Sequence, residues 1–276
     1  GLEFLSKING DYMLLDGQDS TSLLGAYEVF KESNALLLMK NSLLKDRSLY
    51  KQKSALGRHY WGKGDYQIKD FDDYSDRIVL SGTNWLSTHW CGIQVQWYDI
   101  NRPKQYDVSA MFQYPSTRKS YEHGIVQSDY YDSFRRPSIE ALQNLEHDQF
   151  INIAKLENGV RVSQEEYYNR TFNSKILFAP FGYGEMAPRD LEAAMFGSIL
   201  IKPDMSYIDT IPNVYIDGET YIACKHDFSD LQEKIMKILG NYKHYSYIIE
   251  NARKKFKEEM SSEKLALYLY NMFKNL

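Results

Sequence analysis

The sequence is poor in several things, and each shortage narrows what the chain can be. It has two cysteines, Cys91 and Cys224, too few for a disulfide framework or a four-ligand zinc site, so a reducing compartment is the default expectation. No apolar run approaches the ~20 residues that span a bilayer, so no integral membrane segment is expected. The start, from Leu2 to Lys7, lacks the basic, apolar and small-residue order of a secretion signal, and a cytoplasmic location follows as the expectation. Charge of one sign is lacking too: 33 Lys plus Arg against 37 Asp plus Glu leave a formal −4, so no global field draws the chain to nucleic acid or to an anionic bilayer. Any phosphate must be held locally. The six histidines are scattered, and no metal-ligating pattern is read.

What is present is an ordinary globular composition over 276 residues, 43% hydrophobic and 25% charged, with 23 tyrosines against 4 tryptophans. Tyrosine offers flat apolar area with a polar tip, suited to sugar contact or to half-wet packing. Short apolar runs at 34–40, 76–81, 106–113, 150–154, 175–179 and 198–202 alternate with helical patterns at 23–32, 136–145, 188–196 and 227–239. Pro137 is read in the first turn of its helix, and Ser163 to Glu166 as a capping box. Strands alternating with helices predict parallel sheets covered on both faces. The polar stretch 99–105, broken by Pro103, is the best linker. The expected fold is α/β: two Rossmann-like domains facing a cleft, residues 1–100 for the acceptor and 101–276 for a nucleotide, ending in a helical region over 245–273.

The most informative stretch is Pro180-Phe-Gly-Tyr-Gly-Glu-Met-Ala-Pro-Arg-Asp-Leu-Glu-Ala-Ala194, between a strand and a helix. Gly182 and Gly184 allow close backbone approach, the helix start presents free N–H groups, and Arg189 adds a fork of donors matched to phosphate. Glu192 lies near the same helix end and suits a ribose diol, so phosphate and ribose together mean a nucleotide. Two other readings stay open. Gly182 to Ala187 also fits the G-x-G-x-x-A dinucleotide fingerprint, with Asp204 as its ribose acid, which would make an NAD(P)-type oxidoreductase. Alternatively the glycines punctuate a turn and Arg189 and Glu192 form a helical i, i+3 pair.

This stretch resembles the donor-site motif of exostosin-like glycosyltransferases, in which Pro-x-Gly-Tyr, Pro-Arg and Glu-Ala recur at this spacing. The likeness runs from residue 106 to the end and includes the helix near 227; the first hundred residues match only in style. In style the chain is similar to the small members of large algal viruses, which implies host cytoplasm. The resemblance implies the GT-B architecture, a UDP-sugar donor such as UDP-xylose, no metal or other cofactor, and a glycan or glycoprotein acceptor. Arg189 would then hold the diphosphate and Glu192 the ribose. Gly184 stands where many relatives carry an acid, with Glu185 one place later. Arg118, Arg135 and Arg136 correspond to the arginines after the first strand of the second domain, and Tyr183 or Phe181 would stack on the base.

Inverting transfer needs a base for the acceptor hydroxyl and a stabilised diphosphate leaving group. Asp19, beyond a strand and Gly17, is the first candidate, with helix capping as its other use. His59, beside Arg58 and two aromatics, is the second; His123 is the third, or a phosphate ligand. A catalytically dead nucleotide-sugar or glycan-binding module is the non-enzyme reading.

Overall fold

The computed structural model describes residues 5, 8–17, 20–23, 25–52, 67–82, 95–114, 128–148, 151–156, 160–182 and 184–274. The first unit is a parallel sheet of β1 (Met13–Asp16), β2 (Leu37–Lys40) and β4 (Ile78–Leu80), in the order β1-β2-β4. All four residues of β2 are buried, as expected of a central strand covered on both faces. Helix α1 (Ala26–Lys31) closes one face, with Tyr27 and Phe30 packing on Leu38 and Ile78.

The second unit is a five-stranded parallel sheet of β5 (Tyr106–Ala110), β6 (Ile153–Lys155), β7 (Ser174–Phe178), β8 (Ile199–Pro203) and β10 (Ile222–Cys224), in the order β10-β8-β7-β5-β6. Its helices are α2 (Ser128–Asp148), α3 (Gln164–Phe172), α4 (Pro188–Phe196), α5 (Leu231–Gly240), α6 (Tyr242–Glu259) and α7 (Ser262–Phe273). The period of two along β7 divides the core. Ile176 and Phe178 join Leu142 and Leu145 of α2 and Leu231 and Ile235 of α5, whereas Leu177 packs with Ala193 of α4. From β6 the chain returns past β5 to β7, so strand order reverses between β5 and β7. That is the crevice where open α/β sheets receive ligands.

One expectation needs correcting. Pro137 lies inside α2 rather than in its first turn, because the helix begins at Ser128 and the turn before the proline is anchored by buried Arg135, which donates to Phe181 O and Gln113 O. The expected C-terminal helical region is there, as two helices: α6 ends at Glu259, and Ser261 Oγ restarts the chain by accepting the Lys264 N–H at 3.2 Å. One element is unannounced in the sequence. β3 (Ser42–Leu44) pairs antiparallel with β9 (Ile208–Thr210), Leu43 opposite Asp209, and joins the two units. An Arg47–Asp209 ion pair at 3.2 Å flanks it. Since β3 follows the carboxyl end of β2 and β9 follows that of β8, the carboxyl ends of both sheets are drawn together. Among the described residues, no helix is long and apolar enough to cross a membrane.

Candidate active site

The loop after β7 leads into α4, and its backbone is held from several sides. Gly182 N–H donates to Gly184 O at 3.1 Å. Arg135, on α2 and 3% exposed, donates from Nε to Phe181 O and from Nη1 to Gln113 O, both at 3.1 Å. It thereby ties this loop to the one after β5. A Cβ at Gly182 would stand 3.5 Å from Arg135 Nη2, an ordinary contact.

The start of α4 is fixed by a buried charge. Ala187 is extended, Pro188 opens the helix, and Asp190 Oδ2 accepts the Ala187 N–H at 3.0 Å while Asp190 N–H returns to Ala187 O at 2.9 Å. The same Oδ2 accepts Lys202 Nζ at 2.6 Å and the Tyr215 hydroxyl at 2.5 Å. Lys202, at the end of β8, also donates to Glu185 O at 2.6 Å, and neither Lys202 nor Asp190 is more than 2% exposed.

On this frame α4 presents Arg189 and Glu192. Arg189 Nη2 donates to Met111 O at 2.7 Å, reaching across the reversal point to the end of β5. Its Nε donates to the Tyr167 hydroxyl at 3.3 Å, and that hydroxyl donates to Glu192 Oε2 at 2.7 Å. Tyr167 thus stands between the two residues read as a helical pair. Glu192 is 4% exposed; burial raises its carboxyl above the usual range, opposed by the Tyr167 hydrogen bond and the Arg189 charge. A fork of donors and a carboxylate three residues apart on one helix start can engage an anion and a diol together.

Gly182, Gly184, Glu185, Arg189, Glu192 and Arg135 therefore share one neighbourhood. Arg136 is exposed on α2. Asp19, His59, Arg118, His123 and Tyr183 lie outside the described residues. Tyr167 was not singled out by sequence; only the Ser163 cap, whose Oγ accepts Glu166 N–H at 3.1 Å, pointed to its helix. Asp204, the dinucleotide reading's ribose acid, accepts the N–H and hydroxyl of Ser206 at 2.9 and 2.7 Å, and the glycine loop follows the third strand of its unit in chain order rather than the first. The chain does contain one Asp-x-Asp, at 70–72. Asp70 meets Lys31 and Tyr27, and Asp72 meets Lys51. Among the described residues no cluster of three His, Cys, Asp or Glu is placed to hold a metal.

No family model matches the chain, and no curated protein matches it. Solved structures do. The GtfA/B complex is 11% identical with a TM-score of 0.50, covering 99% of this chain and 59% of that one. Anabaena Alr3699/HepE in complex with UDP-glucose is 12% identical with a TM-score of 0.45, covering 99% and 74%. The pneumococcal O-GlcNAc transferase GtfA in complex with UDP and GlcNAc is 10% identical with a TM-score of 0.47, covering 99% and 59%. The chain spans little more than half the length of the first of these structures. At such identities the likeness concerns the fold: the chain is an α/β protein of GT-B-like architecture, with two parallel-sheet units and C-terminal helices.

Proposed function

We propose that this chain transfers a sugar from a UDP-linked donor to a glycan or glycoprotein acceptor, with inversion and without a bound metal or other cofactor. The observation that carries the reading is the Arg189–Tyr167–Glu192 arrangement at the start of α4, beside the reversal point of the sheet. Arg189 and the helix start face the diphosphate; Glu192 takes the ribose hydroxyls. Arg135 shapes the donor loop through its two carbonyl partners. The exostosin-like motif and the GT-B-like fold agree with this reading, and the motif favours a UDP-pentose such as UDP-xylose.

In the reaction, a base removes the acceptor hydroxyl proton, the acceptor oxygen bonds to the anomeric carbon from the opposite face, and the bond to the diphosphate breaks with UDP leaving. Asp19 is the proposed base, with His59 and His123 as the other candidates; Arg189 offsets the charge that develops on the leaving group. The test is calorimetric titration of UDP with and without EDTA, followed by transfer assays with UDP-xylose and UDP-glucose. UDP binding indifferent to chelator is expected. Binding lost in EDTA overturns the metal-free claim, and binding of NAD in place of UDP overturns the reading.

A further inference from the structure

Glu185 sits in the donor loop, yet its carboxylate belongs to the other unit. Oε2 accepts the Thr21 N–H at 3.1 Å and Oε1 accepts the Thr21 hydroxyl at 3.2 Å. Both residues are at most 1% exposed. Thr21 is itself anchored: its carbonyl accepts the Tyr50 hydroxyl at 2.8 Å, and that hydroxyl accepts the Leu44 N–H at 3.0 Å, on the strand that pairs with β9. At the other end of Glu185, its carbonyl is held by Lys202, which also holds the first turn of α4 through Asp190.

Joining two units does not require a buried carboxylate, because β3–β9 pairing and Arg47–Asp209 already do so at lower desolvation penalty. Placed between Gly184 and the helix that presents Arg189 and Glu192, this carboxylate does something those contacts cannot: it sets where the donor loop stands relative to the first unit. We propose that Thr21 is a positioning residue for donor recognition, holding Glu185 across the seam so that the loop over 184–187 is ordered only when both units are in register. The proposal rests on the nucleotide reading for its consequence and not for its geometry.

Hydrogen exchange on the full chain tests the geometry, and UDP affinity tests the consequence. In Thr21→Val, amides over 184–187 should exchange roughly ten- to a hundredfold faster, the range for loss of one hydrogen bond to a charged group, while those of β7 and β8 keep wild-type rates. Thr21→Ser, which restores the hydroxyl, should return the loop to wild-type exchange. UDP should bind several-fold more weakly to Thr21→Val and normally to Thr21→Ser. Wild-type exchange in the loop of Thr21→Val overturns the proposal, as does failure of Thr21→Ser to rescue, or faster exchange with unchanged UDP affinity. If Thr21→Val does not fold, Glu185→Gln, which keeps the shape and removes the charge, carries the same comparison. A wild-type chain that binds no UDP defeats the nucleotide reading, while the exchange data still decide whether Thr21 orders the loop.

Discussion

The Tyr167 hydroxyl donates to Glu192 Oε2 at 2.7 Å, bridging α3 and α4 on the face where the donor is proposed to lie. Tyr167→Phe removes a hydrogen bond to a buried carboxylate, so unfolding in urea should show a loss of about 1.5–3 kcal/mol. It also removes an influence that pulls the Glu192 carboxyl down. The pH at which UDP binding falls to half should therefore move upward; an unmoved profile would separate Glu192 from the ligand.

Glu192→Gln should stabilise the chain near neutral pH and weaken UDP. Burial holds the native carboxyl above its ordinary value, so the folded state binds the proton more tightly than the unfolded one. Such a group contributes stability below the ordinary value of ~4.3 and loses it as pH rises through the raised one. Wild type and Glu192→Gln should be level under acid conditions and diverge above that window. Parallel stability curves from pH 4 to 8, as measured by denaturant midpoints, would contradict this.

Lys202→Met strands Asp190 in the core with its partner gone, and a loss of about 3–5 kcal/mol is expected. Adding Asp190→Asn, whose oxygen can still accept the Ala187 N–H, should recover most of it. A double-mutant cycle on chemical denaturation measures the coupling. Equal destabilisation in the single and double variants would deny it.

Lys104 lies in the expected linker and donates to Phe172 O at 2.9 Å and Phe196 O at 2.7 Å, capping the carboxyl ends of α3 and α4. Burial, with Arg102 and Arg253 nearby, pushes its ammonium down to about 7. Between there and the ordinary ~10.4 the unfolded chain carries the proton and the folded one does not, so stability rises with pH across that window. Wild type should gain more stability from pH 7 to 9 than Lys104→Met. Identical slopes in thermal scans would return the lysine to an unshifted value.

The parts of this protein that were legible in its sequence are those decided within one turn or one strand. The helix over 188–196 could be bounded because Pro188 suits a first turn and Gly197 ends it in the left-handed conformation, with φ of 66°. Arg189 and Glu192 could be placed together because three residues is nearly one helical turn. The parallel α/β rhythm followed from apolar runs whose burial on both faces leaves no alternation to misread. Tertiary structure alone decided the rest. The three residues of β3 carry no periodicity of their own, and the residues opposite them lie more than 160 positions away, so their pairing is a product of how the two sheets meet. The same separation, 164 positions, hides Thr21 from Glu185. Tyr167 could be assigned to a helix but not to a face that meets Glu192, because its orientation depends on the crossover from β6 to β7. A side chain's partner across such distances is set by packing, and packing is a property of the folded chain rather than of any segment of it.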